Sequence, residues 1–166
     1  MAGPRNLRKT ERAVSAYMDL LRATDSITAL QGQQLASFGL TVSQFRLLKT
    51  LLLCGPMSLT EASQRMLCTE SNACVVARNL EKRGLVVRRE HTNDRRCVAV
   101  ELTEQGEELA SRVYPQYTKV VRAQMSALSF AQQGRLRELC QKLEKGDPVR
   151  FVWEMSRPDA GGDGEE

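Results

Sequence analysis

The stretch that decides the fold runs from Ser58 to Thr103. It opens Ser58-Leu-Thr-Glu-Ala-Ser-Gln-Arg-Met-Leu67 and turns at Cys68-Thr69. It continues Glu70-Ser-Asn-Ala-Cys-Val-Val-Ala-Arg-Asn-Leu-Glu-Lys-Arg-Gly84. Then come Leu85-Val-Val-Arg-Arg-Glu90, a polar loop His91-Thr-Asn-Asp-Arg-Arg96, and Cys97-Val-Ala-Val-Glu-Leu-Thr103. The pattern predicts helix, turn, helix and a two-stranded hairpin. Thr69 is placed to N-cap the second helix, with the Glu70 carboxylate at its positive end. Ala73, Val76, Ala77 and Leu80 recur at i, i+3, i+4 and i+7, which makes one apolar stripe. Ser71, Asn72, Cys74, Val75 and Arg78 then face outward. Lys82 and Arg83 place positive charge at the negative pole, and Gly84 supplies a left-handed cap. A helix with small polar residues on its exposed N-terminal face and an arginine on its flank suits the major groove of DNA.

Charge points the same way. Between Arg78 and Arg96 stand seven basic side chains (Arg78, Lys82, Arg83, Arg88, Arg89, Arg95 and Arg96) against three acids (Glu81, Glu90 and Asp94). The surplus of +4 equals the net charge of the whole chain, so the remaining residues cancel. A surplus held in one short segment is the footprint of phosphate neutralisation. The competing account is a solvated helix end and an exposed hairpin.

At 166 residues the chain is one domain, or one domain with an appended helical arm. Its apolar share of 42% is enough for a core. The N-terminus carries charge with no apolar run behind it, and the apolar run near Leu47–Cys54 is interrupted by Lys49 and Thr50. A cytoplasmic protein with no membrane partner is therefore expected. Five scattered cysteines, an odd count, read as reduced thiols.

Outside the central stretch, residues 1–6 read as flexible and a helix is expected from about Leu7 to Leu30. Val14, Tyr17, Met18 and Leu21 share its face, and Ile27 and Leu30 extend it. A break is expected at Gly32. So broad an apolar face calls for a partner subunit. Thr41 opens a largely apolar helix that stops at Cys54-Gly55-Pro56. Met57-Ser58-Leu59 adds a short strand to the hairpin, and Ser58 or Thr60 starts the first helix of the pair. Thr92-Asn93-Asp94 is turn chemistry at the hairpin tip. Thr103 N-caps a long helix that Pro115 should kink. Ser129 caps a last helix, which stops at Gly146-Asp147-Pro148. The tail, with its Phe151, Val152, Trp153 and Met155 cluster, is expected to be disordered at its acidic end.

Four pieces together resemble the multiple-antibiotic-resistance regulator (MarR) family of bacterial transcription factors. They are Leu40-Thr-Val-Ser-Gln-Phe-Arg-Leu-Leu48, Ser58-Leu-Thr-Glu-Ala62, Leu80-Glu-Lys-Arg-Gly-Leu-Val86, and Asp94-Arg-Arg96 followed by Val100-Glu-Leu-Thr-Glu-Gln-Gly106. The resemblance spans about Leu40 to Gly106, and the Asp-Arg-Arg of the hairpin is its most specific piece. It implies a mainly α fold: a winged helix-turn-helix lobe with a small β-hairpin wing and long N- and C-terminal dimerisation helices. Residues 1–38 would form the N-terminal dimerisation region and 39–103 the DNA-binding lobe. Residues 104–146 would supply the C-terminal dimerisation helices, and 147–166 a tail. By the same resemblance, the helix from Thr69 to Arg83 enters the major groove. Arg96 would reach the minor groove with Asp94 holding its guanidinium, a placement that a narrow A·T-rich groove favours. The DNA-binding set is thus Ser71, Asn72, Cys74, Val75, Arg78, Arg88, Asp94, Arg95 and Arg96. Cys74 stands where the family often has threonine, and a thiol is a poor donor.

The expected function is a homodimeric regulator, a repressor, on a palindromic operator. In the family the releasing ligands are phenolic or lipophilic; Tyr17, Met18 and Phe45 are of the type to line such a site, but core packing is the simpler account of them. The alternative is a thiol-based redox regulator on the same scaffold using Cys74 or Cys68, since a helix N-terminus lowers a thiol pKa. Cys54, Cys97 and Cys140 read as small hydrophobes. No catalytic residue, metal site or cofactor is expected. The single histidine, His91, has no evident catalytic partner, although a His91–Cys97 contact stays open. There is no Gly-rich phosphate loop, nucleophile elbow or Cys-x-x-Cys pair. A winged helix used only for protein contact is the remaining rival, and salt dependence of DNA affinity separates the two.

Overall fold

In a computed structural model of the protein, backbone is described for residues 4–91 and 94–146, and side chains for 8, 10–89 and 99–146. The elements run α1 (Pro4–Ala36), α2 (Val42–Cys54), β1 (Met57–Ser58), α3 (Leu59–Met66), α4 (Glu70–Glu81), β2 (Val86–His91), β3 (Asp94–Leu102), α5 (Glu104–Met125) and α6 (Phe130–Glu144). Two compact units result, Met1–Gln124 and Met125–Glu166.

Two expectations about α1 are corrected. Residues 4–6 are helical, and the helix runs through Gly32 to Ala36 without a break. A proline in the first turn costs nothing, because its missing N–H has no helical partner there. One interior glycine costs only about 1 kcal/mol, and the next turn anchors in the core through Leu35, which is fully buried. The true stop is Gly39, at φ +65°. Its N–H donates to the Ala36 carbonyl (2.9 Å), and that of Leu40 to Leu35 (3.0 Å). This pair of bonds closes a helix over a left-handed residue.

Helix α2 starts with a reciprocal cap: the Thr41 side chain accepts from the Gln44 N–H while Gln44 accepts from the Thr41 N–H. Its apolar face fills the centre of the first unit. Phe45, Leu47 and Leu48 are buried, and Leu80, Val86, Val100 and Val113 join them from α4, the sheet and α5. Phe45 packs at a tilt against Tyr117 with ring centroids 5.0 Å apart, so its role is core packing. Tyr17 and Met18 lie at the surface.

The sheet is antiparallel in the order β1-β3-β2, with Met57 opposite Val100 and Arg88 opposite Val100 on the other side. The hairpin is longer than the sequence suggests. His91 and Asp94 belong to strands and face each other, so the expected 91–96 loop is corrected to strand at both ends. A register shift falls between Glu90 and His91. Backbone pairing outweighs the turn-forming residue types here, since a bulge absorbs the excess.

Helix α5 continues through Pro115. Its N-terminus is stitched to the end of α4: the Thr103 hydroxyl donates to the Gly84 carbonyl (2.6 Å) and accepts from the Gly106 N–H (3.0 Å). In the second unit, α6 carries a capping box between Ser129 and Gln132. Gln133 donates to the Met125 and Leu128 carbonyls. Leu139, Leu143 and Phe130 are exposed on α6, as are Val14, Tyr17, Met18, Leu21 and Leu30 on α1. No helix among the described residues is long and apolar enough to cross a membrane. The tail from 147 onward lies outside the described residues, with its apolar cluster.

Candidate nucleic-acid interface

Helix α4 is fixed by its apolar stripe. Ala73, Val76, Ala77 and Leu80 are all buried. With Ala62 of α3 also fully buried, small side chains at this contact let two short helices pack closely. Thr69 caps α4 by accepting from the Asn72 N–H (3.3 Å), and Ser58 caps α3 by accepting from Glu61 (3.1 Å). The Thr60 hydroxyl of α3 donates to the Glu70 carboxylate of α4, which ties the two N-termini together. The turn between them closes over Leu67 in the left-handed region at φ 55°, with the Cys68 N–H donating to Ser63 (3.0 Å).

That anchoring decides what α4 presents. Ser71, Asn72, Val75 and Arg78 are exposed, and Cys74 is half-covered at the edge of the stripe. Asn79 is exposed on the same flank. It was not singled out from sequence, though its spacing of four from Val75 and seven from Asn72 carried the signal. The exposed flank thus combines amide, hydroxyl, aliphatic and guanidinium groups. Such a set matches the edges of base pairs and the thymine methyl.

The basic residues that follow do not share one fate. The Arg88 guanidinium folds back onto α4, with Nε 2.7 Å and Nη2 2.6 Å from a Glu81 oxygen. Both side chains are about two-thirds buried. The hydrogen bond from Arg88 holds the Glu81 carboxyl below the usual carboxylate range, and the same bond raises the Arg88 pKa further. Arg88, read from sequence as a DNA contact, is therefore engaged within the fold and joins the wing to the end of α4. Arg89 pairs across the hairpin with Glu101 at 2.5 Å. Arg83 turns toward the corner between α1 and α2. Arg78 and Lys82 make no ion pair among the described residues.

Asp94, Arg95 and Arg96 lie in β3 near the wing tip. The pairing steps from Glu90–Val98 directly to His91–Asp94, so residues 95–97 occupy the irregular part of the hairpin. Their side chains lie outside the described residues, as do those of His91 and Cys97. Away from this face, the Lys49 ammonium sits 5.3 Å from the Tyr117 ring centroid. Burial chiefly, and Arg46 beside it, lower its pKa.

Comparison with known proteins follows the same segment. Residues 40–98 match the sequence model of the MarR family. An HTH-type transcriptional regulator of Bacillus subtilis, YkoM, is 29% identical over 137 residues, 82% of this chain and 89% of that protein. The transcriptional repressor MprA of Escherichia coli K12 is 38% identical over 84 residues, 51% of this chain and 48% of that protein. Among solved structures, Bordetella bronchiseptica BpsR superposes with a TM-score of 0.72 at 24% identity. The match covers 79% of this chain and 99% of BpsR, whose DNA binding is regulated by 6-hydroxynicotinic acid. At that identity the likeness speaks for the fold.

Proposed function

With this chain a member of the MarR family of DNA-binding transcriptional regulators, we propose that it is a ligand-released repressor that binds a palindromic operator as a homodimer. One observation carries the reading. The buried stripe of α4 locks the helix onto the core and leaves Ser71, Asn72, Val75 and Arg78 exposed together. A rigid scaffold presenting such a face is what direct base readout requires.

Residues 39–103 are the reading lobe in this proposal, and 1–38 with 104–146 are the dimerisation region. The exposed apolar side chains of α1 and α6 support that division, since surface of this kind is normally covered. Two-fold related lobes read two half-sites about one helical turn apart. Repression is supported by the likeness to MprA, and release by a small aromatic or phenolic anion by the likeness in fold to BpsR. Ser71, Asn72, Val75 and Arg78 read the major groove, with Cys74 at their edge. Asp94, Arg95 and Arg96 form the minor-groove tip.

The test is recovery and sequencing of genomic fragments bound by the purified protein. An inverted repeat should emerge beneath the peaks. Arg96→Ala should weaken binding of that repeat by about five- to 150-fold, on the scale of one lost groove contact of about 1–3 kcal/mol, while sedimentation still reports a dimer. A normal gel shift for the variant removes the tip from the interface, and a monomer in sedimentation removes the two-fold operator.

A further inference from the structure

Arg83 is one of the seven basic residues whose charge marks the DNA-binding segment, yet its guanidinium does not point away from the protein. It reaches across 44 residues of sequence to the corner where α1 ends and α2 begins. There Nη1 donates to the Gly39 carbonyl at 2.9 Å and to the Gln44 Oε1 at 3.4 Å. Both acceptors are structurally committed. Gly39 is the left-handed residue that closes α1, and a Cβ built on it would stand 3.7 Å from Arg83 Nη2. Gln44 is the reciprocal partner of Thr41 in the α2 cap.

We propose that Arg83 is a positioning residue that couples the end of α1 to the angle at which α4 meets DNA. The inference rests on the DNA-binding reading of α4. Arg83 follows directly after Lys82, the residue that caps α4, and the left-handed Gly84 comes next. A shift at the α1–α2 corner is transmitted to α4 through the two bonds of this one nitrogen, because a planar guanidinium holds direction as well as distance. Glu81 and Arg88 fix the same end of α4 to the wing. The C-terminal end of the reading helix is therefore held on two sides.

A phosphate contact is the competing role, and the two separate by measurement. Arg83→Met keeps an uncharged stem without donors, and Arg83→Lys keeps the charge without the reach and fixed N–H directions of the guanidinium. The full chain is tested by fluorescence anisotropy on a duplex selected from random DNA by the parent, and on an unrelated duplex of equal length. Positioning gives Arg83→Met about five- to tenfold weaker binding to the selected duplex, the worth of one charge-assisted hydrogen bond near the surface. The unrelated duplex and the salt slope stay unchanged, and Arg83→Lys lies closer to Arg83→Met than to the parent. If instead the slope falls by about 0.9, as for one lost phosphate contact, or if lysine lies closer to the parent, the proposal is overturned. Amide hydrogen exchange on the unliganded chain is a separate arm. Residues 36–40 and 80–85 should speed up together in Arg83→Met, and unchanged protection at either end breaks the coupling. That arm needs no DNA, so a parent that selects no duplex refutes the reading of α4 without obscuring whether Arg83 ties the two ends together.

Discussion

Gly106 shows how one residue sets the spacing of a whole lobe. It lies buried in the first turn of α5, and a Cβ there would overlap the Leu85 carbonyl oxygen. That carbonyl cannot simply retreat, because it accepts from the Thr103 N–H at 3.2 Å. The close approach brings α5 against the segment joining α4 to the wing. Gly106→Ala should therefore cost about 1–3 kcal/mol in chemical denaturation, the usual penalty of overpacking a tight contact. An unchanged midpoint would mean that the backbone gives way freely. At this same scale a charge count leaves pairing out. Sequence places Arg83, Arg88 and Arg89 in a basic run, but each has a partner that only folding brings within reach: a backbone carbonyl of the α1–α2 turn, Glu81 and Glu101.

The helix–wing junction is the element that gains most from such pairing. Glu81 ends α4 and Arg88 lies in β2, so their ion pair resists the wing swinging away from the helix. Because Arg88 depresses the Glu81 pKa, folding favours the carboxylate. The pair's contribution is full above the ordinary glutamate value of about 4.3 and is lost as pH falls through the lower folded value. Its size is about 0.5–1 kcal/mol, given partial solvent exposure. Thermal unfolding should show the parent more stable than Glu81→Gln at pH 6, with the gap closing toward pH 3. A gap that persists at pH 3 would assign the effect to packing of the side chain instead. The elements themselves were legible wherever a periodic stripe met a cap. The four apolar positions of α4, the Thr41, Thr69 and Ser129 caps, and the Gly55 stop are all as read, and of the two starts open for α3 the cap is Ser58. Gly32 and the 91–96 segment were misread, because local breakers and turn formers yielded to an anchored Leu35 and to strand pairing.

For the molecule as a whole, internal pairing lowers the number of charges available to DNA. Seven basic residues in the segment would give a salt slope of about −6 per chain at about −0.9 per phosphate. With Arg83, Arg88 and Arg89 engaged, the proposal leaves four contacts: Arg78 and Lys82, which make no ion pair among the described residues, and the wing-tip Arg95 and Arg96 it assigns to DNA. The slope expected from anisotropy titrations across salt is then about −3.6 per chain, doubled for a dimer. A slope near the larger figure would show that the paired arginines release their partners on binding.

The sequence by itself determined the order of the elements, the inward stripe of α4 and its exposed flank, because periodicity and capping act within a few residues. Tertiary structure alone decided which arginines are spent within the protein. A guanidinium is neutral as to partner until folding brings an acceptor from 7 to 44 residues away into contact with it.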